Sequence, residues 1–492
     1  MTIDPRTPIL VGAGQFLQRP DHLEDALEPA SMMAEAVSAA AADTGAPGIA
    51  QRAQLIVTVK GAWSYQDPSR LVAELIHASG ARTALTGDGG NTPQSVINFL
   101  AREIAAGELD VAVLTGAEAI WSRRRLRAAG IQRSVTKQPP STQPDRLLGS
   151  QVPMSSDNER SRGFEMPIHF YPTFESAIRH DRGETIDEHR VRISELWARF
   201  NAVAVANPFA WSRRSMTAEE IRTPSAENRM VGFPYTKAMN SNWDLDQAAA
   251  VIVCSAGAAE AAGIGRDRWV FLHAGTDAHD TYMVSNRWSL GRSPAIRAAG
   301  RRVLELAGAG VDDLSHVDLY SCFPSAVQVA ATEIGLPQDR QLTVTGGLTF
   351  AGGPLNNYVT HSVATMVSVL RSDPGSLGLV TANGGFLTKH AMGVYSTEPP
   401  KSGFRWQDVQ QEVDTLPTRQ VVEEHDGPAE IEAYTVMFDR AGPERALVSC
   451  ILPDGRRCWG HSREVDTMKA MTEDESIGRR VVLAPDGAIT VE

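Results

Sequence analysis

Cysteine is scarce in this chain, and long apolar runs are absent. The four cysteines are widely spaced and form no C-x-x-C pair, so neither a disulfide framework nor a zinc site is expected. No apolar run approaches the ~18 residues of a membrane-spanning helix. The N-terminal segment lacks the basic and apolar regions of a signal peptide. These absences argue against secretion and membrane insertion, and they favour the reducing cytoplasm.

Positive charge is also in short supply. The chain has 47 basic and 59 acidic residues, which gives a formal net charge of −12 at pH 7. Nucleic-acid binding needs a basic face that meets the phosphates, so we do not expect nucleic acid as the main partner. The 42% of hydrophobic residues is ordinary for a globular protein. At 492 residues the chain is too long for one core and should divide into two or more domains.

The stretch Gly87–Ala117 is the most informative part of the sequence. A glycine-rich loop leads into a helical pattern that ends at Gly107, and the apolar run Val111–Thr115 follows. The apolar positions at helical spacing are Val96, Phe99, Leu100 and Ile104. A buried helix followed by a fully apolar strand is typical of a mostly parallel α/β sheet covered by helices.

Predicted strands and helices alternate on both sides of this stretch. The strands before it are Ile9–Gly14 and Leu55–Val59, and the helices are Ala30–Gly45 and Ser69–Ser79. After Asp267 the strands are Val270–Ala274, His316–Tyr320 and Gly378–Thr381, and the helices are Ala295–Leu306 and Pro324–Ile334. Such alternation predicts a parallel sheet with helices on its faces. Its recurrence indicates an internal duplication.

Two regions depart from the alternation. Between Ile120 and Asp244 apolar strands vanish and Arg, Pro and Trp accumulate, although His189–Ala206 is predicted to form one amphipathic helix. A long mixed insertion between regular units is usually functional. The buried strand Asp246–Ser255 follows it. The segment Thr418–Glu492 has short alternating runs separated by the turn signals AGPE, PDGR and PDGA, which predict a small antiparallel β-barrel.

The central stretch resembles a thiolase motif. In thiolases a nucleophilic cysteine at a helix start is followed four residues later by serine, then by A-x-x-I-x-x-G and D-x-x-x-L-x-G-x-E. The matching residues are Ser95, Ala101, Ile104, Gly107, Asp110, Leu114, Gly116 and Glu118. The run FLAREIAAGELD is especially similar to the sterol-carrier-protein subfamily. The resemblance covers Pro8–Ser396, and the chain is identified as a member of the thiolase superfamily.

This resemblance implies a duplicated α/β fold with two helix-covered sheets in a layered α/β/α/β/α arrangement. The implied parts are an N-terminal half at 1–119, a loop domain at 120–244, the return of the N-terminal half at 245–266 and a C-terminal half at 267–400. An additional barrel at 410–492 resembles the oligonucleotide/oligosaccharide-binding type found in small acyl-CoA-associated proteins. The barrel fold alone does not imply nucleic-acid binding, since this segment lacks a basic and aromatic surface.

The residues that activate a thiolase are replaced in this sequence. Registering the motifs puts Asn91 at the nucleophilic cysteine, Gly353 at the activating histidine of GGLTFAGGP, and Ala382 at the acid/base cysteine of the C-x-G motif. Removing a nucleophile or its base from a cooperating set costs roughly a million-fold in rate. Thiolysis and Claisen condensation are therefore not expected at a useful rate.

A few groups that could take part in catalysis remain. Tyr320 and Cys322 lie in YSCF, which corresponds to N-E-A-F or H-D-C-F and is similar to the Y-D-C-F of thiolase-like aldolases, with Ser321 in place of aspartate. A phenol can act as an acid or base when its pKa is lowered, although a buried structural tyrosine is at least as common. Gly384 permits an oxyanion hole of backbone amides. The remaining candidate bases are His361 and His390, and core roles are the alternative for both. For Ser95 we expect a helix-capping role.

Coenzyme A or an acyl-CoA is the ligand that the resemblance implies for the loop domain. Guanidinium groups pair well with phosphate oxygens. The candidate ligand-binding residues are Arg123, Arg124, Arg213, Arg214 and Lys237. The alternative for each cluster is a solvated basic rim. No metal is called for.

Three hypotheses of function follow from the resemblance. The first is an acyl-CoA-handling protein of lipid metabolism, nominally an acyltransferase, without thiolase turnover. The second is a carbon–carbon lyase that cleaves a 3-hydroxyacyl-CoA by a retro-aldol reaction with Tyr320. The third is a non-catalytic protein whose barrel binds a protein partner. The chain is expected to be a monomer or a homodimer.

Overall fold

The computed structural model describes residues 3–492, which contain eighteen β-strands and fifteen α-helices. The strands are β1 Pro8–Leu17, β2 Leu55–Thr58, β3 Arg82–Thr86, β4 Val111–Ala119, β5 Arg146–Leu148, β6 Met230–Gly232, β7 Tyr235–Thr236, β8 Asp246–Ser255, β9 Val270–His279, β10 Leu314–Asp318, β11 Leu377–Gly384, β12 Lys389–Ser396, β13 Arg405–Asp408, β14 Gly427–Phe438, β15 Pro443–Ile451, β16 Arg457–Ser462, β17 Arg480–Leu483 and β18 Ile489–Val491. The helices are α1 Pro29–Asp43, α2 Pro68–Leu75, α3 Thr92–Ala106, α4 Ile120–Ala128, α5 Asp157–Ser161, α6 Pro167–Arg182, α7 Ile186–Ala206, α8 Ala218–Arg222, α9 Ala256–Ala261, α10 Pro294–Ala307, α11 Pro324–Ile334, α12 Gly347–Phe350, α13 Tyr358–Ser372, α14 Gln410–Val413 and α15 Val465–Glu473.

The large sheet contains two halves with the same strand order. The N-terminal half runs β3-β2-β4-β8-β1, and the C-terminal half runs β10-β11-β12-β9, without a counterpart of β3. A short antiparallel pairing of β1 with β9 joins them, through Ile9 with Phe271 and Leu10 with Val270. The predicted duplication is therefore confirmed.

The prediction of a mostly parallel sheet is wrong, because only two of the four pairings in the N-terminal half and one of the three in the C-terminal half are parallel. The strands β2, β3 and β4 pair in parallel, and so do β10 and β11. In contrast, β8 and β12 run antiparallel to their neighbours. Only a few residues connect β11 to β12, and a connection that short permits a hairpin but not a parallel crossover.

Helices cover both faces of the two halves and also fill the space between them. Helices α3 and α13 contact strands from both halves, which places them in a central layer. On the outer faces, α1 and α2 pack on the N-terminal half, and α10 packs on the C-terminal half. The α/β/α/β/α layering follows. Helix α3 ends at Gly107, which adopts φ 81° as a left-handed cap.

The inserted region between β4 and β8 is mainly helical. Helix α7 confirms the predicted helix at His189–Ala206 but begins at Ile186, because Thr185 and Glu188 form a capping box there. At the other end of the insertion, β5 pairs in parallel with β3 and covers the edge of the large sheet. Strand β13 pairs in parallel with β9 and leads into the C-terminal strands.

The C-terminal strands form a separate antiparallel sheet in the order β16-β15-β14-β17-β18. The predicted antiparallel architecture is confirmed. An isolated bridge between His461 and Ala488 brings β16 towards the start of β18, so the sheet curls back on itself. This sheet is not detached from the insertion, since Met437 of β14 pairs with Gly232 of β6.

One buried arginine fastens the C-terminal sheet to the duplicated α/β body. Arg457 has no exposed surface. It donates to both carboxylate oxygens of Glu432 at 2.6 and 2.7 Å and to the backbone carbonyls of Ser285 and Arg287 at 2.6 Å each. A buried charge is tolerated when it is paired and hydrogen-bonded, and here all three guanidinium nitrogens donate.

We predict that Arg457→Met destabilises the protein by about 3–5 kcal/mol, because it leaves a half-buried carboxylate without its partner. Urea unfolding measures the loss. The neighbouring Arg456→Met is the matched control, since Arg456 pairs with Asp454 at the surface, and it should change stability by less than about 0.5 kcal/mol. Equal losses in the two variants would contradict the buried anchor.

Candidate functional site

Asn91, which the motif register assigns to the nucleophile, lies at the start of α3. Asn91 is the N-cap residue. Its Nδ2 contacts Ser95 Oγ at 3.4 Å, and its Oδ1 is buried without a hydrogen-bond partner among the described residues. An amide in this place cannot carry an acyl group as a thiolate does. The geometry of a reactive helix start is present without the reactive atom.

Ser95 does not cap the helix, so that prediction is wrong. Its hydroxyl donates to Asp277 Oδ1 at 2.5 Å, while Asn98 and Trp406 donate to Asp277 Oδ2. Burial raises the pKa of the Asp277 carboxyl, with these hydrogen bonds opposing the shift. The Ser95 hydroxyl is therefore held by the Asp277 carboxyl group of β9.

Tyr320 reaches the loop in front of α3. A Cβ added to Gly90 would lie 2.3 Å from Tyr320 Oη and 2.5 Å from the Asn383 carbonyl, so only glycine fits at this close approach. The Tyr320 ring packs edge-on against Tyr358 with centroids 5.5 Å apart. Burial raises the pKa of Tyr320 far above its ordinary value, so the phenol is neutral at pH 7. This is the opposite of the lowered pKa expected of a phenolic base.

Cys322 joins the same cluster. Its Sγ lies 3.9 Å from Asn383 Nδ2, which also donates to Tyr171 Oη at 2.9 Å. Burial raises the pKa of the Cys322 thiol to about 12, so the thiolate is scarce at neutral pH. Tyr171 comes from α6 in the insertion and also accepts from Leu387 N at 2.9 Å. Sequence motifs gave no sign that this tyrosine belongs to the site.

The C-x-G motif completes the cluster. Ala382 is buried in β11 and pairs with Ala391 of β12. A Cβ added to Gly384 would lie 2.3 Å from Asn91 Oδ1. The structure therefore brings together Asn91, Tyr320, Cys322, Ala382 and Gly384 around the start of α3.

A side chain at Gly353, which the motif register assigns to the activating histidine, would meet a residue of the insertion. A Cβ added there would lie 2.2 Å from Ser241 Oγ and 3.4 Å from the Asn242 carbonyl. The Gly353 amide also donates to that carbonyl at 2.8 Å. A side chain at this position would therefore require Ser241 Oγ to move.

The two candidate histidines are both buried among structural partners. His361 Nδ1 contacts Gln15 Oε1 at 2.9 Å, and burial lowers the pKa of His361 to about 3. His390 Nε2 contacts Asp280 Oδ2 at 3.2 Å, and Asp280 also accepts from Ser293. Neither imidazole has a hydrogen bond to a residue of the Asn91 cluster. These positions agree with the alternative of core roles.

Lys389 is the group that sequence reasoning missed. It precedes His390 in β12, so the two side chains point to opposite faces of the sheet. The Lys389 ammonium donates to the backbone carbonyl of Asp88, in the loop that leads to Asn91. Lys389 is 8% exposed, and burial lowers its pKa. A buried amine next to the nucleophile position is a signal that only the fold provides.

A buried carboxylate positions the C-terminal part of the site. Asp318, at the end of β10, has no exposed surface. It accepts from Thr343 Oγ1 at 2.7 Å, from Val344 N at 2.8 Å and from Ser362 Oγ at 2.5 Å. Further donors are Thr345 N, Thr345 Oγ1 and Tyr358 Oη. Asp318 thus ties the strand before Tyr320 to α13 and to the segment before Gly346.

The arginines of α4 meet a second segment of the insertion through two indole rings. Trp121 and Trp211 contact each other at a centroid distance of 6.0 Å. Arg125 lies 4.1 Å over Trp121, and Arg19 lies 3.9 Å over Trp211. Arg124 pairs with Asp244 at 3.1 Å. We name Arg19, Trp121, Arg124, Arg125 and Trp211 the indole–guanidinium patch.

The other predicted cationic residues are exposed. Arg213 and Arg214 follow Trp211 closely, and Arg213 Nε donates to the Val205 carbonyl at 3.0 Å. Arg123 donates to the Ala62 carbonyl at 2.5 Å. Lys237 begins a short 3-10 helix after β7. Within residues 3–492, no three or more His, Cys, Asp or Glu side chains are grouped to hold a metal ion. No helix in that range combines the length and apolarity needed to cross a membrane.

Solved structures share this architecture. A monomeric SCP2-thiolase like protein type 1 from Mycobacterium smegmatis is 30% identical, with 100% of each chain covered and a TM-score of 0.85. The Ltp2-ChsH2(DUF35) aldolase is 18% identical over 79% of this chain and 98% of its own, with a TM-score of 0.61. The dimeric peroxisomal thiolase of Saccharomyces cerevisiae is 13% identical over 81% and 99%, with a TM-score of 0.57. The two lower identities support the fold alone.

These likenesses and the order of the motifs define a member of the thiolase superfamily. A family model described as the thiolase-like protein type 1 additional C-terminal domain matches residues 408–488. No curated protein matches the chain at a significant level. The chain belongs to the SCP2-thiolase-like protein type 1 family.

A cysteine placed at the nucleophile position should show whether the helix start still activates a thiol. We predict that Asn91→Cys is alkylated by iodoacetamide at pH 7 at least about tenfold faster than Ser95→Cys, because a helix N-terminus lowers a thiol pKa and the Asp277 carboxylate raises it. Both positions are half-buried. The four native cysteines are buried and should stay unlabelled. Equal rates in the two variants would contradict an activating helix start.

Proposed function

We propose that this protein binds acyl-CoA esters on a thiolase scaffold without thiolase turnover. The single observation that carries the proposal is the site of the missing histidine. Gly353 lacks the imidazole, and a Cβ placed there would meet Ser241 Oγ of the insertion at 2.2 Å. Restoring Asn91 to cysteine would therefore leave the thiol without its activating base.

The indole–guanidinium patch supports the ligand class. Planar indole and guanidinium groups favour a purine ring, and guanidinium donors favour phosphate oxygens. Arg213 and Arg214 are exposed next to Trp211 and add positive charge to an acidic protein. A nucleotide thioester such as acyl-CoA carries both features at one end. The acyl end would then approach the cluster around Asn91 and Tyr320.

Calorimetry and intact mass spectrometry test this proposal together. We predict that acetyl-CoA and a longer acyl-CoA bind the protein while its intact mass stays unchanged after incubation. Replacing both Arg124 and Arg125 with glutamine should weaken CoA binding by about tenfold, since two charge-assisted contacts are lost.

The control for these variants is Lys401→Gln, an exposed residue outside the patch. It should leave the affinity unchanged. Absence of binding to any CoA ester would defeat the proposal. A mass gain of one acyl group would instead favour covalent acyl transfer. Ser95 and Cys322 would then be the first residues to test as the nucleophile.

A carbon–carbon lyase is the second candidate function. In a retro-aldol cleavage of a 3-hydroxyacyl-CoA, the C2–C3 bond breaks, C3 becomes a carbonyl as its hydroxyl loses a proton, and C2 gains a proton. Tyr320 is neutral and is suited to donate the proton to C2. In its neutral form the Lys389 amine is suited to accept the hydroxyl proton, and burial favours that form by lowering the pKa of Lys389. The likeness in fold to an aldolase keeps this candidate open.

We predict that Tyr320→Phe reduces such a lyase activity by about a hundredfold or more, the usual contribution of a positioned proton donor. The readout is the carbonyl product, measured beside thermal unfolding. Tyr395→Phe is the control, because Tyr395 is a buried tyrosine that donates to Gln94 at 2.7 Å, outside the cluster. Unchanged cleavage by Tyr320→Phe would exclude this mechanism.

The remaining features of the proposal concern assembly and location. We assign the C-terminal sheet as the surface that binds a protein partner. Copurification with the full chain tests for that partner. The chain is proposed to act as a monomer, because β5 already covers the β3 edge of the large sheet. The four free cysteines are compatible with a reducing cytoplasm.

A further inference from the structure

A cavity of about 630 Å³ lies outside the cluster around Asn91. One wall is the C-terminal part of α7, and the other is the segment Arg340–Val344 that precedes the glycine motif. Neither Tyr320 nor Cys322 lines it. Its size falls within the range of pockets that hold a small molecule, about 300–1,000 Å³.

The lining of this cavity is largely apolar. The apolar residues include Phe200, Val203, Ala206, Leu342 and Val344. Two hydroxyl groups of the lining are already engaged: Thr343 donates to Asp318 at 2.7 Å, and Thr365 accepts from Gln15 at 3.2 Å. The interior thus offers a hydrocarbon surface with few free polar groups, which favours an alkyl tail.

Two cations stand at the rim of the cavity. Arg199 Nη2 donates to the Gln338 carbonyl at 2.8 Å, which holds its guanidinium beside the segment that carries Arg340. Arg340 Nη2 donates to the Leu314 carbonyl at 2.6 Å. Among the described residues, neither arginine forms an ion pair, although Asp339 directly precedes Arg340 in the sequence. Each guanidinium keeps several free N–H donors for an anion.

We propose that this cavity binds a free long-chain carboxylate. The alkyl tail lies along the apolar walls, and the carboxylate accepts hydrogen bonds from Arg199 and Arg340. This apolar cavity, called the trough below, ends at two guanidinium groups without ion-pair partners. It matches the amphipathic anion in both shape and charge. The proposal is independent of acyl-CoA binding, because it uses none of the residues around Asn91 and none of the indole–guanidinium patch.

Calorimetric titration of the full chain with decanoate, decan-1-ol and decanoyl-CoA tests the proposal. The protein should bind decanoate more tightly than decan-1-ol, which has the same tail without the charge. Val203→Trp fills the trough and should abolish decanoate binding. Replacing both Arg199 and Arg340 with glutamine should weaken decanoate about tenfold and leave decan-1-ol unchanged, since two surface charges are removed and the packing is kept.

Arg480→Gln, an exposed change on β17, is the control and should leave all three affinities unaltered. Decanoyl-CoA should keep its affinity in Val203→Trp. An equal loss there would assign the trough to the tail of a thioester and overturn the free carboxylate as its ligand. Failure of the wild-type protein to bind decanoate, or equal binding of decan-1-ol, would also overturn the proposal. The double arginine variant carries the test if Val203→Trp does not fold.

Discussion

The buried carboxylate of Asp318 is the constraint on which the C-terminal half of the site depends. A carboxyl group without solvent contact must find hydrogen-bond partners nearby. Here they come from the loop before α12 and from α13. These hydrogen bonds fix the position of the segment before Tyr320 and of the segment before the glycine motif. Because the requirement is structural, the framework of a thiolase site persists in a chain that lacks the thiolase nucleophile and base.

The sequence predicted most of the duplicated body because its elements have clear periodicity. Helix α3 has a one-sided pattern and a glycine end, and α7 has an amphipathic stripe. Helix α13 was missed because it is buried nearly all round, which removes the contrast between its faces. Strand β12 was missed for the same reason, since every one of its residues is buried and no alternation marks it as a strand.

The candidate site was predictable only where a motif is local. Asn91, Ala382 and Tyr320 could be placed by registering short patterns, and the fold brings them together. Tyr171 and Lys389 could not be found in this way, because their place in the site depends on how α6 and β12 pack against the loop before α3. The contact that a side chain at Gly353 would make with Ser241 likewise joins segments that are distant in sequence.

The position of the insertion has a consequence for how the chain folds during synthesis. Strand β8 lies between β1 and β4 in the sheet, yet the whole insertion separates it from β4 in the chain. At ~5–20 residues per second, roughly 10 s pass between the emergence of β4 and that of β8. During that interval β1 and β4, two mostly apolar strands, leave the ribosome without the strand that pairs with both of them. The nascent chain is therefore exposed to aggregation at this stage, and chaperone binding would be of most use there.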